Sequence, residues 1–327
     1  MADDEAMITP DDIERTYGTI RPYVRRTPVL QADPGDLSAG LAGDAAPRLS
    51  LKLEQLQCAG SFKARGAFAN LLLRDVPAAG VVAASGGNHG VAVAYAAHRL
   101  GVPAKIFVPS ISSPAKIERI RGLGADLVVT GDRYADALAA AQTWTATSGA
   151  MSVHAFDQRE TLLGQGTVGL ELNEQLGGRR DRLDTVLVPV GGGGLIGGIA
   201  ARLAKDVRVI GVEPDGAPTL FRAREQGHPV DAPVGSIAAD ALAPRRIGEL
   251  VFPITQNYVD DVVLVDDDAI RAAQSRLWQA FRIAAELAAS TGLAALLSGA
   301  YRPAAGEHVA VVITGANLPL PELGSGQ

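Results

Sequence analysis

Residues 60–67, Gly60-Ser61-Phe62-Lys63-Ala64-Arg65-Gly66-Ala67, place a lysine between a strand-like run, Leu51-Lys52-Leu53-Glu54, and an apolar run, residues 67–73. The spacing predicts that Lys63 lies at or near the first turn of a helix. There the positive end of the helix dipole and the unpaired backbone N–H groups disfavour a charged ammonium. The ring of Phe62 beside it adds desolvation, and both effects push a lysine pKa down. An amine kept partly neutral can form a Schiff base with a carbonyl. A lone lysine in a loop is more often simply solvated, so this chemistry stands or falls with the other stretches.

Three of them combine small residues with polar ones. Gly191-Gly192-Gly193-Gly194-Leu195-Ile196-Gly197-Gly198 follows a buried strand and opens an Ala-rich helix, so several N–H groups can converge on a phosphate. Gly192, Gly194 and Gly197 also satisfy the G-x-G-x-x-G spacing, and Glu213 ends the next strand where a ribose-binding acid would sit. By itself the loop leaves NAD and another phosphate ligand both open. Ser85-Gly86-Gly87-Asn88-His89-Gly90 is a second strand-to-helix turn. Its N–H groups can hold a carboxylate, and Asn88 offers an amide donor to a ring oxygen. A capped helix start accounts for it equally well, and His89 reads as structural or catalytic with equal weight. In Thr314-Gly315-Ala316-Asn317, after the last strand, a hydroxyl can face a ring nitrogen or merely end the strand.

The elements that must position these loops alternate. Thr9 and Pro10 start a helix as N-cap and first residue, ending before Thr27-Pro28, where Val29-Leu30 begins an extended segment. Residues 35–48 read as a loop. Strands are expected at 81–84, 104–108, 126–129, 185–190, 208–212, 261–265 and 309–313, with helices through Ala97, from Pro114 to about Arg121, and from about Tyr134 to Thr145. Continuous Val/Ile runs alternating with helices indicate parallel sheets covered on both faces. The expected fold is therefore α/β, with open twisted parallel sheets.

Composition narrows the function classes. The 327 residues are long enough for two domains, and 47% hydrophobic with 20% charged residues is ordinary for a soluble protein. A net charge of −6 argues against a nucleic-acid partner. The single cysteine, Cys58, excludes an internal disulfide framework, and with five scattered histidines it assembles no zinc pattern. The acidic N-terminus lacks the features of a signal peptide, and no apolar run is long enough to span a membrane. A cytoplasmic enzyme with no membrane association is expected.

In their order along the chain the lysine segment, the Ser85–Gly90 turn, the glycine loop, Gly164-Gln165-Gly166-Thr167 and Val212-Glu213-Pro214 resemble the fold type II (tryptophan-synthase-like) pyridoxal-phosphate enzymes. The resemblance runs from about Ile13 to Asn317 and is nearest to the threonine/serine dehydratase and serine racemase branch. It decides against a NAD-binding protein, which gives no reason for the lysine segment. It implies that Lys63 binds pyridoxal 5'-phosphate covalently and later removes the substrate's Cα proton. Phe62 then packs beside the pyridine ring, and Asn88 bonds the phenolic oxygen. Gly191, Gly192, Gly193, Gly194 and Leu195 cradle the phosphate, and Thr314 faces the pyridine nitrogen. Ser85, Gly86, Asn88 and His89 match the loop that binds the substrate carboxylate. A large cofactor-binding domain (1–72 and 154–327) and a small closing domain (73–153), with the cofactor between them, are implied, as is a homodimer.

Departures from the branch refine the expected reaction. A hydroxyl such as Thr314 leaves the ring a weaker electron sink than a carboxylate would, which favours prompt loss of a β-substituent. The reaction implied is β-elimination from L-threonine or L-serine to a 2-oxo acid and ammonia. Racemases of the branch carry a serine opposite the lysine where this chain has Gly86, which disfavours racemisation. β-Replacement remains a further alternative on the same scaffold. The branch often binds a cation through a Glu, a backbone carbonyl and an acid. Glu213 and the Ala217 carbonyl fit a monovalent or divalent ion, but Thr219 stands in place of the acid. The short remainder after Asn317 leaves no room for a regulatory domain, so a catabolic or specialised dehydratase is expected, those acting on 3-hydroxyaspartate or in hydroxyectoine breakdown included.

Overall fold

A computed structural model describes residues 8–318, apart from 42, 44–45, 113, 179–181 and 243; the acidic residues 1–5 lie outside the described residues. The chain first lays down β1 (Val29–Ala32), β2 (Arg48–Leu53), β3 (Val81–Ala84), β4 (Ala104–Val108), β5 (Asp126–Val129) and β6 (Met151–Ser152). It continues with β7 (Thr185–Pro189), β8 (Arg208–Pro214), β9 (Asp261–Val265) and β10 (His308–Ile313). Two sheets result, of order β1-β2-β10-β7-β8-β9 and β5-β4-β3-β6. Every pairing is parallel except β1 with β2.

The helices are α1 (Pro10–Ile20), α2 (Pro34–Leu37), α3 (Lys63–Leu73), α4 (Asn88–Leu100), α5 (Pro114–Gly122), α6 (Tyr134–Ser148) and α7 (Arg159–Leu176). After them come α8 (Gly194–Leu203), α9 (Thr219–Gln226), α10 (Ala239–Leu242), α11 (Val251–Tyr258), α12 (Asp267–Phe281) and α13 (Leu287–Ser298). None is long and apolar enough to cross a membrane. At the start of α1, Thr9 Oγ1 accepts the Asp12 N–H and Asp12 answers through the Thr9 N–H, a reciprocal cap. The helix closes at Ile20: the Arg21 N–H still donates to the Tyr17 carbonyl at 2.8 Å, but Pro22 brings no N–H to continue the ladder. The short α2 overlaps the start of the expected 35–48 loop, and Asp33 caps it by accepting the Gly35 N–H.

The larger sheet is buried on both faces, as its unbroken Val and Ile runs require. One core packs α1, α7 and α8 against Val186, Val188, Ala310 and Val312; the opposite core packs α12 and α13 against Leu187, Val309, Val311 and Ile313. Parallel register places Ile313 beside Leu53 and Pro189 beside Val212, so the loops after β2, β7, β8 and β10 leave from one edge. Segments after β3, β4 and β6 of the smaller sheet meet the same loops: Asn88 pairs with Asn317, Ser112 lies against Gly86, and the Ala155 carbonyl accepts from Lys63.

Candidate active site

Lys63 is the first residue of α3, behind Phe62, an N-cap without a side-chain acceptor. The approach is held from the far end of the chain. Phe62 N–H donates to the Thr314 carbonyl at 3.1 Å, Ala316 N–H to the Gly60 carbonyl at 3.0 Å, and Ser61 bridges Gly315. Consecutive left-handed residues, Ala59 (φ 60°) and Gly60 (φ 74°), make the turn that allows this stitching. The Lys63 ammonium donates to the Ala155 carbonyl at 2.7 Å and lies 5.0 Å from the centre of the Phe62 ring. Burial brings its pKa down to about 8. Roughly a tenth of it is then neutral at pH 7, far more than for a free lysine.

Beneath Lys63, α3 is pinned by charges that the sequence reading passed over. Arg65 is fully buried and forks onto both oxygens of Glu54, with Nε and Nη2 each at 2.8 Å. Its other edge meets Glu171 of α7 at 2.8 and 2.9 Å. Lys52, equally buried, donates to Glu171 at 2.6 Å and to the Thr27 carbonyl at 2.9 Å. Paired cations hold the Glu171 carboxyl below its ordinary value despite burial. The available signal was a lysine and an arginine inside otherwise apolar elements.

The glycine loop opens α8 with Gly193 left-handed (φ +85°) and no side chain on the helix start. Among the described residues no acceptor is seated on the N–H groups of Gly192, Gly193 or Gly194. Three free donors at a helix N-terminus form an anion cradle. The side chain of Leu195, the next residue of the expected cradle, packs into the core. A Cβ at Gly192 would collide with the ring of Phe156, and one at Gly194 would lie 2.8 Å from the Phe156 Cα. Phe156, unremarked in the sequence, therefore walls the cradle. Its segment, 153–158, also gives Lys63 its carbonyl partner, and Asp157 caps the turn before α11 through the Glu249 and Leu250 N–H groups. Gly192→Ala is expected to weaken cofactor binding by roughly 5- to 150-fold, as overpacking of about 1–3 kcal/mol implies. Phe156→Ala in the same chain should restore part of the affinity, measured by fluorescence titration.

Glu213 does not face this loop. Its two oxygens accept the Leu220 and Phe221 N–H groups at 2.7 and 2.8 Å, capping α9, and burial raises its pKa to about 8. That leaves no ribose-binding acid for a dinucleotide. The Ala217 carbonyl, the other expected cation ligand, accepts the Thr219 N–H at 3.1 Å. Among the described residues no three His, Cys, Asp or Glu side chains group as metal ligands.

At the third loop, Ser85 Oγ accepts the Gly87 N–H at 3.2 Å. Asn88, opening α4, donates to Glu286 at 2.8 Å and accepts from Asn317 at 2.7 Å. His89 is buried and its Nε2 lies 2.9 Å from the Val153 carbonyl, so that nitrogen carries the proton. Burial, helped by the nearby Lys63 charge, pushes its pKa down to about 3. The ring is thus a neutral tie between α4 and β6 and carries no mobile proton. A Cβ at Gly86 would collide with the hydroxyl of Ser112, so a hydroxyl occupies the space that residue 86 leaves empty. Thr314 is buried at the end of β10.

The donor set fits a phosphate-bearing aldehyde. It has free N–H groups for an anion, a lysine amine with a lowered pKa, and two buried oxygens, Ser61 Oγ and Glu286 Oε1, without partners among the described residues. Residues 20–315 match the model of the pyridoxal-phosphate dependent enzymes. The chain is 39% identical to a phenylserine dehydratase of Ralstonia pickettii, over 91% of this chain and 90% of the relative. It is 36% identical to an L-threonine ammonia-lyase of Thermotoga maritima, over 95% and 76%. The solved maize serine racemase superposes with a TM-score of 0.86 at 32% identity, over 95% and 94%. A cradle without a dinucleotide's acid, a lysine set to form an imine, and relatives of this kind agree: the chain belongs to the fold type II pyridoxal-phosphate dependent enzymes, in the branch of the threonine and serine dehydratases and serine racemases.

Proposed function

We propose that the chain is an ammonia-lyase that removes water from a β-hydroxy-α-amino acid, L-threonine or L-serine in the first instance, and releases a 2-oxo acid and ammonia. The observation that carries this is the amine of Lys63, its pKa brought down to about 8 at a helix start, together with the N–H groups that open α8 without a side-chain cap. When bound, pyridoxal phosphate supplies the electron sink that makes the substrate's Cα proton acidic. Lys63 takes and returns that proton. The N–H groups of Gly192, Gly193 and Gly194 hold the phosphate, and the Ser85–Asn88 turn holds the substrate carboxylate. Phe62 would lie beside the ring, Asn88 would meet its oxygen, and Thr314 would offer its nitrogen a hydroxyl that does not fully protonate it. The Cα proton and the β-hydroxide leave together as water. The remaining enamine tautomerises and is hydrolysed to the 2-oxo acid and ammonia, which balances the reaction.

Residues 73–153, which contain the smaller sheet, act in this reading as the unit that closes over the substrate and excludes water. A cytoplasmic homodimer, with any cation at Glu213 and Ala217, belongs to the same proposal. The test is a screen of L-threonine, L-serine, phenylserine and 3-hydroxyaspartate, reading ammonia and 2-oxo acid. Release from at least one, by a yellow protein, is expected. A colourless protein that binds NAD and releases nothing would overturn the proposal.

A second reading is racemisation, favoured by one observation, the Ser112 hydroxyl in the space beside Gly86. A hydroxyl there would serve as the second acid/base, a role worth about 10²–10⁴ in rate. D-Serine formed from L-serine, lost in Ser112→Ala while ammonia release persists, is the outcome that would establish it.

A further inference from the structure

Asn88 is held on both sides by groups that dictate which way its amide faces. Asn317 Nδ2 donates to the Ala59 carbonyl at 2.9 Å, and a carbonyl only accepts, so that atom is the nitrogen. The Asn317 oxygen in turn takes a donor from Arg119. The same Asn317 nitrogen meets the Asn88 oxygen at 2.7 Å, which leaves the Asn88 nitrogen facing Glu286 Oε2 at 2.8 Å. One N–H of Asn88 is thereby used, and the second has no acceptor among the described residues.

Glu286 is well placed to hold that nitrogen. It is the N-cap residue of α13, and its own N–H donates to the Gly315 carbonyl at 3.0 Å, so its backbone is tied to the turn after β10. A Cβ at Gly315 would stand 2.8 Å from Glu286 Oε2 and 3.2 Å from Asn88 Nδ2. Glycine at 315 is what lets the carboxylate and the amide meet against the strand end. Glu286 Oε1 is buried and finds no hydrogen-bond donor within normal geometry among the described residues. Lys116 of α5 and Asp240 of α10, paired with each other, are the charged groups nearest to it from the facing elements.

We propose that Glu286 is a positioning residue for the cofactor: together with Asn317 it fixes the Asn88 amide so that the free N–H is presented to the ring oxygen of pyridoxal phosphate. The inference rests on reading Lys63 and the glycine loop as the site of that cofactor. Without the carboxylate, the Asn88 nitrogen loses the one acceptor it has among the described residues, and the amide can rotate away from the ligand. Glutamine at 286 keeps an oxygen in place to accept the same N–H, so it preserves the orientation while removing the charge.

The experiment is reconstitution of the apo-protein with pyridoxal phosphate, read as the dissociation constant and as the pH midpoint of the visible absorption band. Glu286→Ala and Asn88→Ala should each weaken binding about tenfold, the worth of one good hydrogen bond. Both should also move the midpoint by about half a unit or more. The double variant should be no worse than Asn88→Ala alone, because the two act as one unit. Glu286→Gln should return both readouts to within about threefold and about 0.2 units of the unaltered protein. Urea midpoints should differ little across the set, which separates positioning from unfolding. Additive losses in the double variant, or a Gln variant that behaves as Ala, would overturn the proposal. Absence of any visible band in the unaltered protein would instead remove the Lys63 reading, and this inference with it.

Discussion

Lys63→Ala is expected to purify without visible absorbance and to release no ammonia above about one part in 10³ of the unaltered rate. The size follows from one amine doing two jobs, attachment of the cofactor and movement of the Cα proton, so no other side chain can take up half the work. His89, a titratable group that feels the Lys63 charge, is buried as the neutral ring with its proton committed to the Val153 carbonyl. Borohydride reduction of the unaltered protein followed by peptide mapping should place the added mass on Lys63. An unmodified Lys63 in a yellow protein would end the account.

The same amine sets a pH dependence. Capture of pyridoxal phosphate by the apo-protein needs the neutral form, so its rate should climb as pH rises toward about 8 and level off above. Stability follows the same group with a definite sign. The folded pKa, about 8, is below the ordinary lysine value, so between about pH 8 and 10.5 the unfolded chain holds the proton and the folded chain does not. Relative to Lys63→Met, the apo-protein should therefore gain stability across that window, where denaturant midpoints can follow it.

Arg65→Met should be the most destabilising single change, by about 3–5 kcal/mol in a urea titration. Two buried cations, Arg65 and Lys52, face two buried carboxylates, Glu54 and Glu171. Removing Arg65 leaves one carboxylate's worth of charge uncompensated in a fully buried site. Arg65→Lys should recover little, because a single ammonium cannot fork onto two carboxylates on opposite edges. Since Arg65 lies two residues beyond Lys63, cofactor affinity should fall with stability. A loss below about 1 kcal/mol would show that β2, α3 and α7 hold together without the ion network.

Local spacing carried much of this protein. A lysine between a strand and an apolar run had to open a helix, and a run of glycines after a buried strand had to turn tightly into the next one. Val/Ile runs alternating with helices had to make parallel sheets, the antiparallel β1 pairing excepted. These follow from backbone geometry and from periodicity, which a sequence displays directly. Tertiary structure alone decided which groups meet across distance: Arg65 with Glu171, Lys63 with the carbonyl of Ala155, Phe156 with Gly192, Ser112 with Gly86. It also turned His89 into a neutral tie and Glu213 into a helix cap, because burial and hydrogen-bond partners, not residue type, determine whether a titratable group keeps a usable proton.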